Sequence, residues 1–189
     1  MSEINKHMNT QITGLSEGAV PIYNPASPIY MESADYAREH GEINQFRESM
    51  HLNLACRDAI DAAVRDNFDG MWLKKTAPDE VLRTYGPDRV LMVLANTVNE
   101  KEWDGRFSRR NKEWAAQVPI PDIGKDRRCY LWLNSHSAVL NGFIDLTKEA
   151  VRKLEMEKSS VIAQLKQTPE KYNLPKPNMK GLSKPEHGG

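Results

Sequence analysis

Apolar residues fall into short periodic blocks along this chain, separated by clusters of proline, glycine and charge, and the spacing inside most blocks is helical. Ser33 stands where it can cap a short helix through His40, which Gly41 closes. From Glu42 to Asn67, Phe46, Met50, Leu54, Ile60, Val64 and Phe68 recur at steps of four to six residues, with Ala55, Ala59, Ala62 and Ala63 between them. That broad apolar stripe predicts the longest early helix, ended by Asp69-Gly70. Met71-Trp72-Leu73 is too short to classify. Thr76-Ala-Pro78-Asp79-Glu80 reads as a helix start, with proline in the first turn and acids at the positive end of the dipole. This helix stops at Tyr85-Gly86. Pro87-Asp88 begins another, marked by Val90, Leu91, Leu94, Ala95 and Val98 and running to about Glu100.

Beyond a turn at Trp103–Phe107, Ser108 can cap a basic helix from Arg109 to Gln117, stopped by Pro119 and Pro121. Cys129–Leu133 (Cys-Tyr-Leu-Trp-Leu) is the best strand candidate. A lone strand needs a partner, and Val118–Ile123, Met71–Leu73 or Ile22–Tyr23 could supply one. Ser135 or Ser137 then caps a last long helix buried through Val139, Leu140, Phe143, Ile144, Val151 and Leu154, with continuation towards Gln167. Residues 1–28 form a flexible lead-in. Residues 166–189, with Pro169, Pro175, Pro177 and Pro185 and five lysines, form a disordered basic tail. The expected fold is mainly α (α+β): one globular domain over 29–165, with five or six helices and a small two- or three-stranded sheet.

Composition bounds what such a fold can do. The chain has 189 residues, 39% of them hydrophobic, and a mean hydropathy of −0.65. That is polar, yet sufficient for one modest core. No apolar run spans a membrane, the first residues lack the pattern of a signal peptide, and two cysteines cannot build a disulfide scaffold. A soluble, cytoplasmic protein is therefore expected, with no membrane partner. The 26 basic and 26 acidic residues cancel, which argues against a generic DNA coat. The cancellation hides two unlike halves. Residues 1–95 hold 9 Lys+Arg against 14 Asp+Glu, a net of −5, whereas residues 96–189 hold 17 against 12, a net of +5. Pairing between the halves is the plain explanation. A surface specialised for a partner is the sharper one.

Enzyme chemistry finds no sequence foothold. The five histidines have no HExxH or i, i+4 spacing, neither Cys56 nor Cys129 sits in a CxxC pair, and no glycine-rich phosphate loop is present. Ser135-His136-Ser137 reads as a helix start. No catalytic residue, metal site or cofactor is therefore expected. The candidate chemistry is instead a mixture of arginine and aromatic residues, the composition of nucleic-acid contacts and of protein hot spots alike. Trp103, Asp104, Arg106, Phe107, Arg109, Arg110, Lys112 and Trp114 form its first group, and Arg127 and Arg128 beside Tyr130 and Trp132 its second. A self-association surface would draw on Met71, Trp72, Tyr130 and Trp132 if exposed, with the oligomeric state left open.

From Tyr30 to about Lys153 the chain resembles an uncharacterised family of unknown function from conjugative elements, prophages and plasmids of Firmicutes. The residues carrying the resemblance are Tyr36-Ala37, Glu42, Ser49, Asn53, Cys56, Tyr85-Gly86, Arg89-Val90 and Leu94-Ala95-Asn96-Thr97. Asp104-Gly105-Arg106-Phe107-Ser108, Asn111-Lys112-Glu113-Trp114-Ala115 and Ser135-His136 complete the set. The resemblance implies no catalytic residue. Its setting in mobile elements, with a looser similarity to type II-A anti-CRISPR proteins, implies an antagonist of a host defence nuclease such as Cas9, with or without its guide RNA. Such an inhibitor would block DNA binding or activation. The alternative is a DNA-binding accessory or autoregulatory protein of a conjugative element.

Overall fold

The computed structural model describes residues 27–101 and 103–166. The lead-in through Ala26, the tail from Gln167 and the Ile22–Tyr23 segment lie outside the described residues. Two compact units divide the chain, Met1–Ala150 and Val151–Gly189.

In the first unit α1 (Ala34–Glu39) is capped by Ser33, whose hydroxyl accepts from Tyr36 N. The long helix α2 (Ile43–Asn67) follows, then α3 (Asp79–Tyr85), α4 (Pro87–Glu100) and α5 (Arg109–Ala115). Gly86, at φ 78°, makes the left-handed junction between α3 and α4, and Pro87 opens α4 at the position where a missing N–H costs nothing. A 3-10 helix (Lys125–Leu131) precedes α6 (Ser137–Lys166), which belongs to the first unit as far as Ala150. No helix among the described residues is long and apolar enough to cross a membrane.

The central element is α4. Arg89, Val90 and every residue from Met92 to Val98 are buried, because α2, α3, α5 and the 3-10 helix all pack on it. Leu52, Cys56 and Ile60 of α2, Leu131 and Leu133 of the connector, and Leu140, Phe143 and Ile144 of α6 complete this core. Burial of the Cys56 thiol pushes its pKa up to about 12.

The expected sheet is absent: no strand occurs among the described residues, whose β character is limited to one antiparallel bridge, Phe68 to Leu73. That bridge closes the Met71–Leu73 turn on α2 itself, with Asp69 Oδ1 accepting from Met71 N (2.9 Å) and Trp72 N (2.7 Å). The expected strand at Cys129–Leu133 is the end of the 3-10 helix followed by an extended residue, Trp132. Leu131 and Leu133 are both fully buried, while Cys129 and Tyr130 are exposed.

Side chains of two helices, and not a neighbouring strand, satisfy the backbone of this segment. From α4, Asn96 Nδ2 donates to Arg128 O (3.1 Å) and Thr97 Oγ1 donates to Leu131 O (3.4 Å). Thr97 Oγ1 also accepts from Leu133 N (3.2 Å), and Lys101 Nζ, just past α4, donates to Leu133 O (2.6 Å). From α2, Arg57 donates to Tyr130 O, and Asp61 accepts from Asn134 N and Ser135 N, both at 2.9 Å. A strand partner is unnecessary once these donors and acceptors are filled.

A candidate interaction surface around the fifth helix

The turn before α5 is built on Asp104. Its carboxylate accepts from Arg106 N (3.1 Å) and from Ser137 Oγ (2.6 Å), which fastens the turn to the start of α6. The Ser137 hydroxyl is the main reason that the Asp104 carboxyl is held below the usual carboxylate range. Arg106 reaches back to the same corner, with Nη1 donating to His136 Nε2 at 2.6 Å. The hydroxyl of Ser135 is taken by Asp61 (2.7 Å), so neither flanking serine is directed at the imidazole.

Phe107 turns inward and is buried, while Ser108 caps α5 by accepting from Asn111 N (3.2 Å). Asn111, with no exposed surface, is the bolt between α5 and α6. Its Nδ2 donates to Asn141 Oδ1 (3.0 Å) and Asp145 Oδ1 (3.2 Å), and its Oδ1 accepts from Lys148 Nζ (3.0 Å). Lys148 also lies 5.0 Å from the Trp114 ring centroid, a cation–π contact. Desolvation, with the nearby charge of Arg110, lowers the Lys148 pKa, and Asp145 opposes this.

The outward side of the same segment carries the remaining predicted residues. Trp103 is 74% exposed. Arg109 is exposed and pairs with Glu113 (2.7 Å), and Arg110 pairs with Asp145 (3.0 Å). Lys112 and Trp114 are half-buried. The first predicted group is thus brought together, divided into inward anchors (Asp104, Phe107, Trp114) and outward groups (Trp103, Arg106, Arg109, Arg110).

Arg127 and Arg128 do not join it. They sit on the 3-10 helix, where Arg128 pairs with Glu100 (3.5 Å) and its carbonyl is held by Asn96, whereas α5 is tied to α4 through Asn99 Nδ2 and Ala115 O (3.1 Å). Sequence reasoning missed the anchors on α6, namely His136, Ser137, Asn141, Asp145 and Lys148. The i, i+4 step from Asn141 to Asp145 was the available signal, since it puts two acceptors on one helix face. Among the described residues no cluster of His, Cys, Asp and Glu could hold a metal ion.

The segment just described lies inside a family match. A family model described as "Protein of unknown function (DUF3849)" matches residues 29–152. The chain belongs to the DUF3849 family. No curated protein and no solved structure matches it. The DUF3849 match spans α1 to α5 and the start of α6, so it contains both the side-chain scaffold of the 3-10 segment and the α5 surface.

Proposed function

We propose that this DUF3849 protein is a non-catalytic binding protein of a mobile element that docks on a macromolecular target through the outward face of α5 and its leading turn. One observation carries the reading. Phe107, Asn111 and Ala115 face inward and fix the segment, leaving an exposed Trp103 and three arginines on a rigid support. Tryptophan and arginine on a preorganised surface are the side chains that dominate binding energy in protein interfaces.

Charge favours a protein target over a nucleic acid. Arg106, Arg109 and Arg110 each have a carboxylate at 4.0 Å or less, from Asp104, Glu113 and Asp145. A groove that tracks phosphates would be harmed by those carboxylates, whereas a mixed-sign protein interface uses both signs. The target implied by the resemblance is a bacterial defence nuclease such as Cas9, held away from DNA or from its active state.

The test combines pull-down with a DNA-cleavage assay against several Cas9 orthologues. Inhibition by the wild type, lost in Trp103→Ala/Arg109→Glu with an unchanged urea midpoint, supports the proposal. Absence of binding and inhibition across the set refutes the nuclease target. If DNA is retained instead, with a log affinity that falls steeply with log salt, the accessory or autoregulatory role replaces it.

A further inference from the structure

Beyond the α5 surface, α6 carries an apolar seam that outlasts the core covering its beginning. Leu140, Ile144, Thr147, Val151, Leu154, Lys158, Val161 and Leu165 follow one another at alternating steps of four and three residues, the a/d spacing of a heptad repeat. Leu140, Ile144 and Thr147 are buried in the first unit. In the second unit Val151 is still buried, and beyond it the seam is open, with Leu154, Val161 and Leu165 exposed at 40%, 54% and 70%, and Ile162 beside them at 52%. Every residue from Arg152 to Leu165 is exposed. A helical segment of this length gains little stability in water without a packed face. The DUF3849 match ends at residue 152, so the open seam lies beyond the matched residues.

We infer that the seam from Leu154 to Leu165 is a self-association site, pairing with the same segment of a second copy as a short parallel two-stranded coiled coil. The identity of the occupant follows from Lys158. A lysine at an a position breaks the apolar seam at one level, and a foreign apolar helix would leave its ammonium unpaired there. A second copy in parallel register sets its own Lys158 at the same level, a like-charge contact that costs stability and fixes the register. It also brings Glu157, at the g position, beside the lysine of the opposite strand, giving two reciprocal charge pairs. Leu154, Val161 and Leu165 then meet their own counterparts.

The experiment uses the full chain, by sedimentation velocity over a range of concentrations and by cross-linking. A dimer fraction that rises with concentration is expected for the wild type. It should be lost in Val161→Glu/Leu165→Glu, whose far-UV circular dichroism of the core and urea midpoint stay unchanged because both positions are exposed. Glu157→Lys should weaken the dimer by setting like charges together, and salt should partly restore it. In a Cys129→Ser background, Leu154→Cys should oxidise to a 154–154 disulfide, which the parallel register allows and an antiparallel one does not. A monomer at all concentrations overturns the inference. So does a monomer that dimerises only when residues 167–189 are removed, since the seam would then belong to the chain's own tail. Binding by the α5 surface is unaffected by Val161→Glu/Leu165→Glu, so the two readings fail separately.

Discussion

Thr97→Val tests whether the connector before α6 is held by side chains of α4. The two residues have nearly the same shape and similar helix propensity, so the substitution removes a hydroxyl and little else. Thr97 is 1% exposed, and its Oγ1 is the acceptor for Leu133 N at 3.2 Å, inside a core where Leu133 has no exposed surface. The hydroxyl proton is shared between Val93 O (3.1 Å) and Leu131 O (3.4 Å). Val93 O keeps its ordinary helical bond, so that part of the loss is small. The Leu133 N–H is left buried without a partner, which costs about 1–3 kcal/mol. Urea unfolding should show a midpoint lower by about 1 M with an unchanged slope. Native-state hydrogen exchange should show the Leu133 amide losing protection ahead of its neighbours. Thr97→Ser keeps the acceptor and loses one methyl, so it should retain that protection. If Thr97→Val unfolds within about 0.5 kcal/mol of the wild type and Leu133 stays protected, burial of Leu131 and Leu133 alone holds the segment and the argument fails.

Asn111→Ala should destabilise the domain by about 1–3 kcal/mol in the same assay, because it removes the part-buried bonds to Asn141, Asp145 and Lys148 made by a side chain with no exposed surface. Asp104, whose carboxyl is held below its ordinary value of 3.8 mainly by Ser137, contributes stability that is present above that value and lost as pH falls through its lower folded value. Asp104→Asn should therefore flatten the acid limb of a stability–pH curve, and an unchanged limb would reject the Ser137 contact. The thiols should separate, with exposed Cys129 reacting with an alkylating reagent in the native protein and Cys56, its thiol pushed up to about 12, reacting only on unfolding.

Helices were legible where local signals fix them and misphased where tertiary partners do. Ser33 as a cap, Gly86 at a positive φ and Pro87 in the first turn are backbone chemistry, and each sits where its residue type predicts. In α2 the existence of the helix was readable, yet its buried face is Phe46, Ser49, Leu52, Asn53, Cys56, Ile60 and Val64, with Met50 and Leu54 only half-buried. The apolar stripe read from the sequence left out Leu52 and Cys56, and it could not include polar Ser49 and Asn53, which have distant partners. Ser49 Oγ accepts from Tyr30 N (2.9 Å), and Asn53 Oδ1 accepts from Arg89 Nε (3.0 Å). Arg89 itself is 2% exposed and donates to Ser27 O and Pro28 O, which no rule for arginine anticipates. The strand at Cys129–Leu133 failed for the same reason. An apolar run reports that side chains enter the core, as Leu131 and Leu133 do, but not who satisfies the backbone between them. For the α5 surface, sequence proximity found the outward arginines and missed the α6 anchors that make the support rigid.

The charge asymmetry takes a different meaning once the pairs are named. Arg38–Asp35, Arg57–Asp58, Arg65–Asp66 and Arg83–Glu80 lie within the acidic half, and Arg106–Asp104, Arg109–Glu113, Arg110–Asp145 and Arg128–Glu100 within the basic half. Among the described residues, contacts that join the halves include charged groups meeting neutral dipoles, as from Arg57 to Tyr130 O and from Asp61 to the Asn134 and Ser135 amides, and the backbone bond from Asp122 N to Met31 O (2.9 Å). Pairing of charge within each half leaves its net sign untouched, so the excess of either sign is not cancelled by the other across these contacts. Exposed pairs of this kind add little to stability. Salt should accordingly move the encounter rate with a charged partner far more than the unfolding midpoint, since screening acts on the field of each half and hardly on the dipole contacts that join them.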